Sequence, residues 1–223
     1  MRYFITLFFS LIALFFIACD GQSTASTKSF KLLIPLYAYP TSNDSWSELV
    51  TLKQNHSLVE IVAIVNQSNG TFDTNSSSFY DGIKTLSNAK ITPVGYVNTK
   101  SATRTLQEVQ TDVDNWALYY KEVGLKGIFF DVTSSHTDKV SYYKTLSEYA
   151  KSKDLNIIIL NPGTTVDEEF FQEEVASIIV TKEEYYENGI NHTNFNTPTD
   201  TTNLAILLHH APQTISLEAF CEL

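Results

Sequence analysis

Seven short apolar runs recur along the chain after its first thirty residues, each bounded by polar or turn-forming residues. Within each run the hydrophobic residues are mostly continuous instead of alternating, which is typical of parallel strands covered on both faces. Successive runs start 22 to 36 residues apart, which leaves room for a crossover helix in most of the gaps. The predicted strands cover residues 32–39, 59–65, 91–97, 127–132, 156–162, 178–182 and 204–210.

Three of the gaps carry a helical pattern, over residues 46–56, 104–123 and 142–153. Gly124 follows the longest of them, where a left-handed residue commonly ends a helix. Alternating strands and helices predict an α/β protein, and a repeat near thirty residues favours a (β/α)8 TIM-like barrel over an open sheet. Only seven strands are recognisable. We therefore expect a truncated chain, a barrel incomplete at its C-terminus, or closure by an irregular segment.

The first nineteen residues have the pattern of a targeting segment. Arg2 precedes an almost wholly apolar stretch over 3–17, which is shorter than the roughly 20 residues of a spanning helix. The stretch ends in FIAC, which resembles a bacterial lipobox, so Cys19 is predicted to carry a lipid. An ordinary secretory signal cleaved elsewhere is the alternative. We expect an exported protein that is lipid-anchored to the bacterial cell envelope, at either the inner or the outer membrane.

Small polar residues over 20–29 predict a flexible tether, and residues 30–223 a single folded domain. The net charge of -10 argues against nucleic acid and anionic membrane surfaces as partners, which leaves the lipid as the membrane contact. Only Cys19 and Cys221 are present, so lipidation of the first makes a structural disulfide unexpected. No CxxC, HExxH, P-loop or GxGxxG motif occurs, and we expect neither a metal nor a cofactor. A monomer is expected.

Polar side chains end the predicted strands, at the edge where β/α barrels build their active sites. The alternative for each is a structural role, because Asn and His commonly cap turns and Tyr packs at barrel rims. The residues concerned are Tyr37, Tyr39, Asn66, Tyr96, Asn98, Asp131, Asn161, Glu183, His209 and His210.

Two carboxylates stand out among these residues. Asp131 ends the apolar strand GIFFD, where a buried charge is costly unless it is paired or used. Glu183 holds the equivalent place two strands later. Glycosidic hydrolysis needs such a pair, one carboxyl to protonate the leaving oxygen and one to attack or to activate water. Charged residues surround Glu183, so on these grounds alone a solvated helix start is favoured over a catalytic role.

The chain resembles the spherulin-4 family, glycoside hydrolase family 135 and its bacterial relatives. The matching stretches are IPLYAYP (34–40), IVNQSNG (64–70), VGYVNTKSATR (94–104), VDNWALYYKEVGLKGIFFD (113–131), LNPGTT (160–165), IIVTKEEYY (178–186) and ILLHHAP (206–212). The resemblance implies a β/α-barrel enzyme that cleaves α-1,4-linked N-acetylgalactosamine or galactosamine in an exopolysaccharide, with Asp131 and Glu183 as its catalytic carboxylates. It also implies sugar contacts from residues at motif positions, namely Tyr37, Tyr39, Asn66, Tyr96, Arg104, Asn161 and His209.

The chain departs from the family pattern at two positions beside these carboxylates. Val132 replaces the glutamate that usually follows the strand-four aspartate, and Lys182 replaces a phenylalanine before Glu183. An ammonium beside Glu183 would favour its ionised form. Three hypotheses stay open: an active glycosidase, a catalytically degenerate lipid-anchored protein that binds the polysaccharide, and a purely structural envelope lipoprotein.

Overall fold

The computed structural model describes the backbone of residues 5–6, 13–16, 31–41, 45–185, 204–209 and 214–215, and the side chains of 31–41, 45–185 and 204–208. The described strands are β1 (Ile5–Thr6), β2 (Ala13–Phe16), β3 (Lys31–Leu36), β4 (Glu60–Val65), β5 (Thr92–Asn98), β6 (Gly127–Asp131), β7 (Ile157–Asn161), β8 (Ile178–Tyr185), β9 (Leu204–His209) and β10 (Thr214–Ile215). The described helices are α1 (Ser45–Asn55), α2 (Ser77–Asn88), α3 (Leu106–Tyr120), α4 (Val140–Ser152) and α5 (Glu169–Gln172), with 3-10 turns at Ser68–Gly70, Lys121–Val123 and Thr137–Lys139.

Strands β2 to β9 form a closed barrel in chain order. The seven strands β3 to β9 are parallel to one another and correspond to the seven predicted from the sequence. The prediction of an α/β, TIM-like barrel is therefore confirmed. Helix α2 was not predicted, although its buried Phe79, Ile83 and Leu86 recur at helical spacing. The glycine among them, and the serines and asparagine at both ends of the helix, concealed the pattern.

The eighth position of the barrel is filled by β2, which runs antiparallel to both β3 and β9. Leu14 pairs with Leu33 on one side and with Leu207 on the other. Strand β2 lies within residues 1–19, the predicted targeting segment. Cys19 and the predicted tether 20–29 lie outside the described residues. In the part of the chain that the structure describes, no helix has the length and apolarity needed to cross a bilayer.

The barrel wall separates two apolar cores. One fills the barrel interior and includes Leu33, Ile64, Val94, Phe129 and Leu207. The other lies between the wall and the outer helices and includes Leu36, Ile83, Trp116, Phe130 and Tyr143. Side chains alternate between the two cores along each strand, as the two-residue period of β structure requires.

Gly95 on β5 lets helix α3 pack closely on the barrel. A Cβ atom at this position would lie 2.5 Å from the indole of Trp116, which is fully buried. The indole Nε1 donates a hydrogen bond of 2.9 Å to the carbonyl of Tyr96 on the same strand. Burial of a large aromatic side chain contributes on the order of 2 to 3 kcal/mol, so this contact helps to fix the end of β5 that carries Tyr96.

Candidate active site

The carboxyl ends of β3 to β9, which we call the mouth of the barrel, carry the polar residues singled out in the sequence. On β6, Phe129 belongs to the interior core, so Asp131 two residues later lies on the same face. On β7, Ile159 and Asn161 are related in the same way. Asp131 pairs with Asn161 across the two strands. The mouth therefore brings the predicted carboxylate and amide together.

Glu183 reaches the inward face because β8 contains a β-bulge. Val180 faces the interior and pairs with Ala205, but the next pair in the ladder is Lys182 with Ile206. The unpaired Thr181 between them shifts the alternation by one residue. Glu183 consequently lies opposite Leu207, which belongs to the interior core.

The same bulge turns Lys182 to the outer register of the strand. Its side chain forms an ion pair of 3.9 Å with Glu184, which also follows the outer register. The ladder therefore places Lys182 and Glu183 on opposite registers of the strand. An effect of the ammonium on Glu183 stays a prediction.

One amide group links the two carboxylates. Asn161 Nδ2 donates a 2.7 Å hydrogen bond to Asp131 Oδ1 and a 2.8 Å hydrogen bond to Glu183 Oε1. Its Oδ1 accepts a 3.1 Å hydrogen bond from the backbone N–H of Gly163, which fixes the amide so that its NH2 faces the carboxylates. Asn161 is only 7% exposed. Asp131 and Glu183 are thus held as a pair by a neutral donor.

Tyr96 holds the second oxygen of Asp131. Its hydroxyl donates a 2.5 Å hydrogen bond to Asp131 Oδ2 and accepts one of 3.3 Å from Asn98 Nδ2. Burial, and then the hydrogen bond to Asp131, raise the pKa of Tyr96 well above its usual value, so the phenol stays protonated and acts as a donor. Both Asp131 oxygens are therefore engaged as acceptors.

Tyr37, just after β3, packs against the ring of Tyr96. Their rings meet edge to face with centroids 5.6 Å apart. The pKa of Tyr37 is raised mainly by burial of its hydroxyl and secondly by the charge of Asp131, although 40% of the residue surface is exposed. An exposed aromatic face beside a polar hydroxyl is a common way to bind a sugar ring.

Gly163 contributes to the site through its backbone, and the sequence patterns did not reveal it. Its φ of +65° is a left-handed conformation that favours glycine. A Cβ atom there would lie 3.4 Å from the carboxyl carbon of Glu183. That distance is an ordinary van der Waals contact, so the glycine is favoured by its backbone conformation, which directs its N–H to Asn161, and not by a lack of space beside Glu183.

Three further predicted residues have mainly structural contacts in the described part of the chain. Tyr39 packs edge to face on Phe79, with centroids 5.4 Å apart. The Oδ1 of Asn66 accepts a 2.8 Å hydrogen bond from the N–H of Asn69 in its own turn. Arg104 is considered below. Sugar contacts by these residues stay predictions.

Arg104 lies between β5 and α3, and its guanidinium connects the end of β5 to the first turns of α3. It forms a 2.7 Å ion pair with the buried Asp112 and donates to the carbonyls of Asn98, at 2.7 Å, and Glu108, at 3.3 Å. Burial raises the pKa of Asp112, and the hydrogen bond from Arg104 opposes that rise. Arg104 thus anchors the residues next to the site.

His209 ends β9, where its backbone pairs with Tyr185. Its side chain lies outside the described residues, as does His210. Tyr185, which is 55% exposed, follows Glu183 by two residues on the inward register. The sequence patterns did not single out Tyr185, because the bulge that turns it inward leaves no signal in them.

Val132 directly follows Asp131 and adopts a left-handed conformation with φ of +49°. This conformation is rare for a β-branched residue. Its side chain is 45% exposed, so the position next to Asp131 is accessible but carries no carboxylate. Among the described side chains, no group of three or more His, Cys, Asp or Glu residues is arranged to hold a metal ion.

Comparison with known proteins identifies the family. The sequence model of spherulation-specific family 4 matches residues 31–222. The chain belongs to spherulation-specific family 4. Spherulin-4 of Physarum polycephalum is 35% identical over 148 residues, which are 66% of this chain and 43% of that protein. This family 4 chain therefore spans less than half the length of that curated relative.

A solved structure supports the fold of this family 4 chain. The crystal structure of Aspergillus clavatus Sph3 in complex with GalNAc superposes with a TM-score of 0.64 at 24% identity, covering 70% of this chain and 66% of the other. The two proteins therefore share the β/α-barrel fold.

Proposed function

We propose that this chain is a glycoside hydrolase that cleaves an exopolysaccharide within the chain of sugars, with Asp131 and Glu183 as its catalytic carboxylates. The observation that carries the proposal is the shared amide of Asn161, which holds the two side chains together at the mouth. The two bridged oxygens lie 2.7 Å and 2.8 Å from one nitrogen, so they are at most about 5.5 Å apart, which fits the roughly 5 to 5.5 Å typical of retaining glycosidases better than the longer separation of inverting ones. We therefore expect retention of configuration.

The hydrogen bonds suggest different roles for the two groups. Asp131 accepts from Tyr96 on one oxygen and from Asn161 on the other, so both oxygens are fixed as hydrogen-bond acceptors. This arrangement suits a carboxylate that attacks or stabilises the anomeric carbon. Glu183 is exposed at the mouth, where it can donate a proton to a departing sugar oxygen.

A polymer of N-acetylgalactosamine or galactosamine is the proposed substrate class. Sph3, which shares the fold, was crystallised with GalNAc. The acidic chain, with a net charge of -10, favours a neutral or cationic polymer over an acidic one. The exposed face of Tyr37 supplies a surface for a sugar ring.

A second candidate is a protein that binds this polysaccharide without cutting it. Val132 favours this alternative, because the family pattern implies a glutamate at this position and its side chain is accessible. The chain retains the aromatic side chains of Tyr37 and Tyr96 and the amide of Asn161 at the mouth, which could bind a sugar without cutting it. Binding without hydrolysis is therefore the outcome that would replace the first proposal.

The decisive experiment measures the release of reducing ends from a galactosamine-containing exopolysaccharide. We expect turnover by the wild-type chain and a loss of at least about 1,000-fold in Asp131→Asn and Glu183→Gln. Glu184→Gln is the matched control, because the neighbouring Glu184 follows the outer register. No release by a folded wild-type chain that still binds the polymer would establish the second candidate. Equal activity in Asp131→Asn would refute the assignment of Asp131.

The two roles can be separated with an aryl glycoside of the same sugar. An aryl leaving group with a low pKa needs little proton donation. Glu183→Gln should therefore recover much of the rate of glycosidic bond cleavage, the first step, with that substrate. Asp131→Asn should not recover. Proton NMR of the first product formed reports the anomeric configuration, and an inverted product would contradict the expected retention.

Export and lipid anchoring through Cys19 form a separate proposal. Its support is the apolar stretch over 3–17 followed by the lipobox-like FIAC. Mass spectrometry of the protein isolated from membranes should show a chain that begins at a diacylated Cys19. A chain that retains residues 1–18, in which β2 can complete the barrel, would overturn it. Neither result bears on hydrolysis.

A further inference from the structure

The turn that follows Asp131 is held by a buried pair of hydroxyl groups from other elements. Thr99, directly after β5, and Tyr143, on α4, are both fully buried. Their oxygen atoms lie 3.3 Å apart. Neither belongs to the polar residues of the mouth, and neither contacts the Asp131 carboxylate in the described structure.

Thr99 contacts two successive backbone carbonyls, those of Asp131 and Val132. Its Oγ1 lies 2.9 Å from the carbonyl oxygen of Val132 and 3.1 Å from the carbonyl oxygen of Asp131. The backbone N–H of Thr99 also donates a 3.0 Å hydrogen bond to the carbonyl oxygen of Asp131. The hydroxyl has one hydrogen, and the shorter distance directs it to Val132. The Val132 carbonyl also accepts a 2.7 Å hydrogen bond from the N–H of Ser101.

Tyr143 completes the arrangement from the helix side. Its hydroxyl accepts a 2.7 Å hydrogen bond from the N–H of Ser134. Burial raises the pKa of Tyr143, so the phenol keeps its proton. Because the Thr99 hydrogen is used on a carbonyl, Tyr143 is the donor in the contact between the two hydroxyls. The chain of bonds thus runs from Tyr143 through Thr99 to Val132.

This arrangement secures a backbone conformation that would otherwise be unfavourable. A left-handed conformation is sterically unfavourable for a residue with a branched Cβ, and Val132 has φ of +49°. If the turn relaxed, the backbone that carries Asp131 would move with it. A misplacement of about 1 Å can cost a catalytic group about 100-fold in rate.

We propose that Thr99 and Tyr143 are positioning residues that hold the strained Val132 turn and thereby fix the Asp131 carboxylate for catalysis. The proposal rests on the proposed hydrolase function. Thr99→Val and Tyr143→Phe should lower kcat by about 10- to 100-fold with little change in KM, since both residues are fully buried and out of reach of a sugar at the mouth. Thr99→Ser, which keeps the hydroxyl, should recover most of the rate. Tyr149→Phe is the matched control, because Tyr149 on the same helix donates to Asp114 instead.

Relief of the strain provides the second test. In a Val132→Gly background the left-handed turn needs less support, so Thr99→Val should lower kcat by several-fold less than it does in the wild type. Val132→Ala removes the branched side chain but retains a Cβ, and it should not weaken the effect in this way. An equal loss in all three backgrounds would overturn the link between the hydroxyl pair and Val132.

Amide hydrogen exchange tests the same contacts without turnover. In the full chain, Thr99→Val should speed exchange at Ser101 and Tyr143→Phe at Ser134 by about tenfold or more. Unchanged exchange would refute the holding role whatever the activity. Faster exchange with an unchanged kcat would refute the positioning role alone. A wild type without turnover would overturn the hydrolase proposal and the positioning role with it, while the exchange rates would still report on the turn.

Discussion

Glu183 on β8 lies directly opposite Leu207 on β9, a residue of the barrel interior. Regular alternation from Val180 would instead have placed Glu183 on the outer face of the barrel. The bulge at Thr181 accounts for the difference, and the buried hydroxyl of Thr181 has no hydrogen-bond partner in the described structure. The barrel therefore accepts an unsatisfied polar atom at the residue that turns the glutamate inward.

This relationship predicts a strong asymmetry between two adjacent glutamates. Glu183→Ala should abolish most hydrolysis, whereas Glu184→Ala should change kcat by less than about threefold, because only the first faces the mouth. Both variants should unfold within about 1 kcal/mol of the wild type, since neither side chain is in the core. Reducing-end assays and urea unfolding check the two statements. A larger rate loss in Glu184→Ala would mean that the register of β8 is wrong.

Asn161 offers a sharper test of how the carboxylates are held together. Asn161→Leu keeps a similar volume but removes the donor that both carboxylates share, and we expect kcat to fall by about 100-fold. The control is Asn156→Leu, because Asn156 lies just before β7 at the opposite end of the barrel and is exposed. Steady-state kinetics would measure both. A wild-type kcat in Asn161→Leu would show that the bridge is not needed.

The sequence predicted the barrel and most of the mouth for one physical reason. Strands buried on both faces must be continuously apolar, so a polar residue at the end of such a run is conspicuous. Tyr37, Asp131 and Asn161 were found in this way. Glu183 was found at a strand end too, but the family resemblance was needed to favour it over a solvated helix start, because a bulge changes the face of a residue without changing composition.

Other features depend on contacts between distant parts of the chain. The family resemblance implies a sugar contact for Arg104, which stays a prediction, but it did not reveal the ion pair with Asp112, eight residues later on α3. The pairing of Thr99 with Tyr143 joins residues 44 positions apart. Helix α2 was missed because packing on the barrel, and not intrinsic propensity, stabilises its mixed sequence.

Replacement of Arg104 should mainly affect stability. Arg104→Ala would leave the Asp112 carboxylate, whose side chain is only 5% exposed, without its partner. Loss of one member of a buried ion pair typically costs about 3 to 5 kcal/mol. Lys121→Ala serves as the control, because its pair with Asp154 is largely exposed and should contribute about 1 kcal/mol or less. Equal unfolding free energies for the two variants in urea would contradict the structural role.

Position 132 should show an unusual order of stability. Glycine adopts a left-handed conformation without a Cβ penalty, so Val132→Gly should be more stable than Val132→Ala by about 1 kcal/mol, the reverse of the usual order within helices and strands. Urea unfolding of both variants measures the difference. If alanine is the more stable residue, Val132 does not hold the left-handed conformation in solution.

Alkaline titration tests the hydrogen bond between Tyr96 and Asp131. The folded-state pKa of Tyr96 is raised, first by burial and then by Asp131, above the value of about 10 expected in the unfolded chain. The folded state therefore keeps a proton that the unfolded state loses. This contribution to stability is complete below about pH 10 and declines as the pH rises toward the folded value.

The wild type should consequently lose unfolding free energy more steeply than Tyr96→Phe above about pH 10, by up to about 1.4 kcal/mol per pH unit. Asp131→Asn should show an intermediate slope, because an amide does not repel the phenolate as a carboxylate does. Urea unfolding between pH 8 and 11 measures the slopes, and absorbance at about 295 nm follows ionisation of the phenols. Parallel slopes for the wild type and Tyr96→Phe would mean that the phenol is not buried against Asp131, and the acceptor role assigned to that carboxylate would lose its basis.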